Sequence, residues 1–491
     1  SDEEQTDSDF DGLGNPCDPD DDNDGVIDDE DLFPLDPTRS TEPLKGIQYL
    51  QTTSDSANVT TLHVINTSEE RQVFSGLLRN GAGQEVGKGE QELGSAVASN
   101  GRLVLTSADL ESIFDIDPWK GPAMLRIEGK GPFELMSRLE SPSGLVSNTN
   151  CVREDRVLNI EGFDSSNMSY IRFINTKNES TGEIKGTLYG FDGRPVGTRN
   201  ILLVSDLAPY EQVWISRDSL SQKIGAEWNG EGMLEVTSVD GLKLLNLNFI
   251  TDESTFFNFS CFENGNEGTA RIYLQTTSTS ANVSSTHIVN TSDLATRFIG
   301  TLYGSDGSQV GDAGVPLHSG IVPKKGRIVI SSEDIEEAFE IPPWTGPAVL
   351  EINSGEPFEL MTKLKSPSGL ISNTNCVREN QIHNIGGFDQ TDVTYVRFIN
   401  TGDTAITNIK GSLYDSSGNV IGSTNPILID ELPAKAHVWK NRNQLSDLAG
   451  DTWNGTASLK IDNADDNLRL LNLNFINNET FFNFSCYESG Q

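Results

Sequence analysis

Tyr170-Ile-Arg-Phe-Ile-Asn-Thr176, followed by Gly186-Thr-Leu-Tyr-Gly-Phe-Asp-Gly193, carries the fold assignment. The first run is short, β-branched and aromatic, as a strand is. The second ends in Asp-Gly, which supplies the positive-φ positions of a tight hairpin turn. The same layout recurs along the chain. Asn-Thr closes a β-rich run at Asn66, Asn175, Asn290 and Asn400, and a G-x-L follows at Gly76, Gly186, Gly300 and Gly411. A W-x-G-x-[AG]-x-L motif comes next, at Trp119, Trp228, Trp344 and Trp453. Cys151, Cys261, Cys376 and Cys486 each close a unit.

Two periods are superposed. Tyr49-Leu-Gln-Thr-Thr returns at Tyr273, and Ser147-Asn-Thr-Asn-Cys-Val-Arg-Glu returns at Ser372. Phe256-Phe-Asn-Phe-Ser-Cys returns at Phe481. A module pair has therefore been duplicated, in the order A-B-A′-B′. The boundaries read as 46–152 for A, 153–263 for B, 270–377 for A′ and 378–491 for B′, with residues 1–45 as a separate arm. Leu244-Leu-Asn-Leu-Asn-Phe and Leu470-Leu-Asn-Leu-Asn-Phe alternate apolar and polar residues, one face in and one out. Short strands with frequent turns predict an all-β chain, a tandem array of four immunoglobulin-like β-sandwiches; a barrel is the alternative. Thr106-Ser-Ala-Asp109 and Ser331-Ser-Glu-Asp334 predict the N-caps of one short helix per module. The repeated tryptophan is expected over the inter-sheet core, its following glycine allowing backbones to approach. A ligand-stacking tryptophan is the alternative. Very short linkers predict a stiff rod of modules.

The arm has a different composition. Residues 1–43 hold 17 of the 73 acidic residues and one basic residue, Arg39, within a chain of net charge −38. So few large apolar side chains cannot offset the ordering entropy, so the arm is either disordered or folded around cations. The spacing favours cations. Asp7, Asp9, Asp11, Asn15 and Asp18 fall at positions 1, 3, 5, 9 and 12 of a loop with Gly12 at position 6. Asp20, Asp22, Asp24, Asp28 and Asp31 repeat the pattern around Gly25. Alternate oxygens around a glycine turn suit Ca²⁺, which takes six to eight hard oxygen ligands. Asp replaces the usual bidentate Glu at position 12, and no helix-forming stretch flanks either loop.

Residues 7–37, DSDFDGLGNPCDPDDDNDGVIDDEDLFPLDP, resemble thrombospondin type 3 calcium repeats. The resemblance implies a chain wrapped around calcium ions in an extracellular protein. It also implies cysteines paired between successive repeats. Only Cys17 is present, which points to a partner upstream or none, and Asn15 makes the first loop the weaker site. The chain opens at Ser1 without a signal sequence, so a leader has been removed or the sequence is a piece of a longer protein.

One cysteine per module means that any disulfide joins modules or chains. The tidiest pairing is Cys151–Cys261 with Cys376–Cys486; buried free thiols are the alternative. Ten N-x-S/T sequons, at Asn58, Asn66, Asn167, Asn178, Asn258, Asn282, Asn290, Asn454, Asn478 and Asn483, would be decorated in a glycosylating organism.

The acidity excludes nucleic acid and anionic membrane as partners. No apolar stretch is long enough to span a bilayer. No nucleophile elbow, metalloprotease motif or phosphate loop is present, and the five histidines read as structural. The chain is therefore read as a non-enzymatic, secreted or cell-surface structural protein. Its expected partners are copies of itself, assembled into a calcium-dependent filament or lattice. The alternative is an adhesin or carbohydrate-binding ectodomain that meets a glycan or a surface protein.

Overall fold

In the computed structural model, residues 43–490 are described except 143–145, 161–167, 229–231, 251–254, 259, 266–267, 368–370, 387–392, 464, 477–479 and 484. Within the arm the described residues are 8–9, 13, 15–23, 27–28 and 34–35. The chain is all-β, with four short helices among the described residues. It is a tandem array of immunoglobulin-like sandwiches, each with two separate antiparallel sheets, which sets the barrel aside.

Module A shows the plan. Its outer sheet runs Leu44–Leu50, Ala123–Gly129, Ser75–Arg79, Gln91–Glu92. Its inner sheet runs Arg102–Thr106, Val59–Asn66, Phe133–Glu140, with Val146–Asn148 on the far edge. Leu62, Val64, Leu125, Phe133 and Leu135 fill the space between the sheets. Each module carries one helix at the same point: Ser107–Phe114, Arg217–Ile224, Ser332–Ala338 and Arg442–Ala449. Thr106 with Asp109 and Ser331 with Asp334 form capping boxes, as their spacing predicts. Asn441 with Gln444 forms a third.

The four tryptophans are buried in their module cores, at 7–8% exposure, so they are not ligand platforms. The expectation about the following glycine is corrected. A Cβ on Gly121, Gly346 or Gly455 would meet nothing within 4 Å, so no close approach requires the missing side chain there. Their φ values of +76°, +74° and +75° explain the residue instead, because only glycine adopts that conformation without strain.

The inner sheets are buried on both faces: Val59–Asn66 and Phe133–Glu140 are covered along almost their whole length. One face meets the module's own core. The other meets the neighbouring modules, and this contact closes on itself. The hairpin tip of each module, at residues 80–83, 190–193, 304–307 and 415–418, sits on the next. Gln212 N–H donates to Gly81 C=O (2.8 Å) from B to A, and Arg327 N–H to Phe191 C=O (3.1 Å) from A′ to B. His437 N–H donates to Ser305 C=O (3.0 Å) from B′ to A′, and Arg102 N–H to Ser416 C=O (3.0 Å) from A to B′. The fourth bond joins the last module to the first. The chain is a closed ring of four with pseudo-fourfold symmetry, and the expected rod is corrected.

The segment after each cysteine shows why. Arg153 bridges Leu244, Glu263–Gly265 pairs with residues 358–360, and Arg378 bridges Leu470. These are linkers crossing to the next module. After Cys486, Glu488–Ser489 crosses to the first module and pairs with Leu135 and Glu134.

Glycine is required at the tips. A Cβ on Gly418 (φ +85°) would overlap the Ser99 carbonyl, and one on Gly193 (φ +72°) the Lys324 carbonyl. Gly418→Ala is therefore expected to open the ring at the junction of B′ and A. Gly193→Ala should lower stability without opening it, because the chain runs through that junction. Size-exclusion chromatography of the two variants separates these outcomes; equal elution would count against the tip contact.

Candidate functional site

The seams, the ring axis and the arm hold the chemistry-bearing residues. Three positions before the repeated asparagine, modules B and B′ carry Arg172 and Arg397, where A and A′ carry His63 and His287. Both arginines are fully buried. Arg172 donates to the carbonyls of Ala123 (3.0 Å) and Leu50 (3.4 Å) and to the Gln51 and Gln212 side chains. Its guanidinium lies 5.5 Å from the Trp214 ring centre. Arg397 repeats this with Ala348, Leu274 and Trp439. Carbonyl dipoles and ring faces thus replace a carboxylate partner. Burial lowers both to about 9, so they remain cationic near neutrality. In A and A′ the seam cation comes from the neighbouring strand. Arg102 donates to His383 C=O, to Asn384 Oδ1 (3.0 Å) and to Ser458 Oγ (2.8 Å), and Arg327 donates to Leu158 C=O. Every seam therefore receives at least one guanidinium.

Two seams that symmetry makes equivalent differ in polarity. Between B and A′ the patch beside the guanidinium is apolar: Leu158, Met233 and Val289, with Phe262 next to them. Between B′ and A the corresponding residues are His383, Ser458, Ile65 and Tyr487. There Glu134, buried at 5% exposure, accepts from Arg378, from Gln381 (3.0 Å) and from His383 Nε2–H (2.9 Å). Tyr487 stacks edge-on against His383 at 4.9 Å, and its hydroxyl accepts from Asn384. Burial alone would raise Glu134, but the His383 hydrogen bond and the His383 and Arg378 charges outweigh it and hold the carboxyl down at about 2. Burial lowers His383 below its usual 6.5. Glu488, on the closing tail, is pushed up to about 8 by burial, and Glu263, its counterpart in B, to about 7.

At the axis the repeat N-x-[NS]-C places one cysteine from each module. The asparagine of each module donates to the cysteine carbonyl of the module before it. Asn258 donates to Cys151 (3.0 Å), Asn373 to Cys261 (2.9 Å), Asn483 to Cys376 (2.9 Å) and Asn148 to Cys486 (3.0 Å). The structure joins Cys151 to Cys261 and Cys376 to Cys486. All four sulfurs lie within 4.8 Å of one another. Cys17, in the arm, is exposed and unpaired.

Asn66, Asn175, Asn290 and Asn400 are fully buried ties. Each amide donates to the carbonyl four residues on and to the strand-entry loop, as Asn290 does to Leu294 (2.7 Å), Pro323 (3.0 Å) and Val322 (3.2 Å). Four sequons are thereby removed as glycan acceptors in the folded chain: Asn66 and Asn290 are these ties, and Asn258 and Asn483 belong to the axis.

Five of the ten expected calcium ligands have described surroundings in the core of the arm: Asn15, Asp18, Asp20, Asp22 and Asp28. Asp9 is described beside them, whereas Asp7, Asp11, Asp24 and Asp31 lie outside the described residues. Asn15 opens a short 3-10 turn and exchanges hydrogen bonds with Ser8 (3.2 and 3.0 Å). Asp18 Oδ1 accepts from Asp20 N–H (3.1 Å), and Asp28 Oδ1 from Asp21 N–H (2.9 Å), folding the second loop back on itself. Asp21 and Asp22 are buried. Burial, then the Asp28 and Asp18 charges, raise Asp21, a residue between two of the expected ligand positions.

No protein-family model matches the chain, and no curated protein matches it. Among solved structures, one titled "Biofilm associated protein - BSP domain" is 7% identical over 91% of this chain and 95% of that one, at a TM-score of 0.14. A trypsin-activated alpha-2-macroglobulin from Escherichia coli is 9% identical over 91% of this chain and 42% of that one, at a TM-score of 0.10. Scores this low carry no argument about role. Among the described residues no helix is long and apolar enough to cross a membrane.

Proposed function

We propose that the chain is a non-enzymatic extracellular surface protein, in which a calcium-stabilised arm displays a rigid four-module ring as a structural or adhesive head. The observation that carries this reading is ring closure. The module faces that a filament of sandwiches would use for end-to-end contact are spent within one chain. Two disulfides suit an oxidising compartment. The crowded carboxylates of the arm suit a cation: Ca²⁺ on Asp20, Asp22, Asp24, Asp28 and Asp31, and a second ion on Asp7, Asp9, Asp11, Asn15 and Asp18. Such ions would stiffen the arm and set the ring's distance from whatever precedes it.

Limited proteolysis in millimolar calcium and after chelation tests the arm. Calcium should protect residues 7–37, and Asp22→Ala combined with Asp24→Ala should abolish that protection while the modules stay intact. Unchanged protection in the double variant would remove calcium from the account. Negative-stain electron microscopy tests the display role, for which single rings are expected with and without calcium. Fibres or lattices that dissolve on chelation would favour the second reading, a calcium-gated homopolymer joined through the arm. That reading draws on the arm's excess negative charge, which opposes association until cations neutralise it. A glycan or surface-protein screen of the ring then addresses the adhesive partner.

A further inference from the structure

The axis offers each sulfur more than one partner. Cys151 and Cys261 are bonded, as are Cys376 and Cys486, yet all four sulfurs lie within 4.8 Å. The four share one backbone contact, since each cysteine carbonyl accepts from the asparagine of the following module. Two of the four seams are bridged, and two are not. One of the unbridged seams, between B and A′, is crossed by the chain itself. The other, between B′ and A, is the ring's closing seam, held by the Glu488–Ser489 strand, the Glu134 network and the hairpin tip.

We propose that the axis is a disulfide-interchange site with a second register, Cys261–Cys376 and Cys486–Cys151, whose second bond covalently seals the last module to the first. The exchange needs a small monothiol and no net oxidant or reductant. Cys151 and Cys376 are half-buried, whereas Cys261 and Cys486 are buried, so an external thiolate reaches the first two more readily. Its sulfur bonds to Cys151 Sγ as the Cys151–Cys261 bond breaks, leaving Cys261 as thiolate. Cys261 then bonds to Cys376 Sγ, and Cys486 leaves as thiolate. Cys486 bonds to Cys151 Sγ and expels the small thiol. Two disulfides are consumed and two are formed, and the thiol is regenerated. Residues 151–486 then form one covalently closed loop, which the first register does not provide.

The test uses the full folded chain with a trace of reduced glutathione at mildly alkaline pH, quenched with acid, alkylated and mapped by peptide mass spectrometry. Cys261–Cys376 and Cys151–Cys486 peptides are expected to appear together and in equal amounts. Persistence of the original two pairs alone would overturn the proposal. Bridges that include Cys17 would also count against it, because they report exchange away from the axis. A Cys151→Ser variant gives a second reading without added thiol, since Cys261 is then free beside an intact bridge. Two species are expected, Cys376–Cys486 with alkylated Cys261 and Cys261–Cys376 with alkylated Cys486. Finding the first alone would overturn the interchange.

Discussion

Glu134→Ala is expected to open the ring. The substitution leaves Arg378 and His383 facing one another at a buried seam without their shared carboxylate. Removing one partner from a buried ion pair costs about 3–5 kcal/mol, because the remaining charge stays desolvated. At this seam the chain provides no tether, so the loss should release Glu488–Ser489 from the inner sheet of module A. The matched control is Glu359→Ala, which removes the equivalent carboxylate from Arg153 at the seam between B and A′. A comparable loss of stability is expected there, with no opening. Hydrogen exchange at residues 134–136 and 488–489 distinguishes the two variants; equal protection in both would contradict a separate closing seam.

The same seam sets a pH dependence. Glu134 is held at about 2, below its reference value of 4.5, so its contribution is present above 4.5 and lost as pH falls towards 2. Burial lowers His383 below 6.5 against the opposing pull of Glu134, so acid below 6.5 also weakens the seam. Glu488 acts in the opposite direction. Its carboxyl is raised to about 8, so its penalty grows as pH rises from 4.5 to about 8. Closure should therefore be strongest between about pH 4.5 and 6.5. Glu488→Gln should flatten the alkaline limb and leave the acid limb in place.

Removal of the disulfides has the other large expected effect. Each bridge closes a loop with a sequence separation of 110 residues. The chain-entropy model then gives about 5 kcal/mol per bridge from restriction of the unfolded chain. Cys151→Ser with Cys261→Ser should destabilise the A–B pair by that order, and Cys376→Ser with Cys486→Ser the A′–B′ pair. Urea unfolding of the four-module chain followed by tryptophan fluorescence measures both. A change below about 1 kcal/mol would mean that the buried arginine seams alone hold the pairs together.

Local rules reached far into this fold. Alternation, Asp-Gly turns and Thr106/Asp109-type caps are encoded within a few residues, so strands and helices are legible in the sequence. The tryptophans are legible as core for the same reason. Ring closure was not, because it depends on the angle between modules, which no short motif specifies. One signal was present: Cys486-Tyr-Glu-Ser-Gly490 repeats Cys261-Phe-Glu-Asn-Gly265, the segment that crosses from B to A′. The seam cations were hidden by a swap between strands. Arg172 and His63 share one repeat position, while Arg102 and Gln212 share another, so neither position reads as a constant arginine. In the arm the liganding pattern is legible as spacing alone. The sequence does not show that Asn15 engages Ser8, or that Asp21 is buried between two ligand positions.

The most direct measurement is small-angle X-ray scattering of the full chain in calcium. A closed ring should give a radius of gyration only slightly above the roughly 23 Å of a compact chain of this length, whereas four modules in a line would give about twice that. A value near the first, unchanged on chelation except for the contribution of the arm, is the expected result. A value near the second would contradict ring closure, and with it the closing seam and the convergence of the four cysteines.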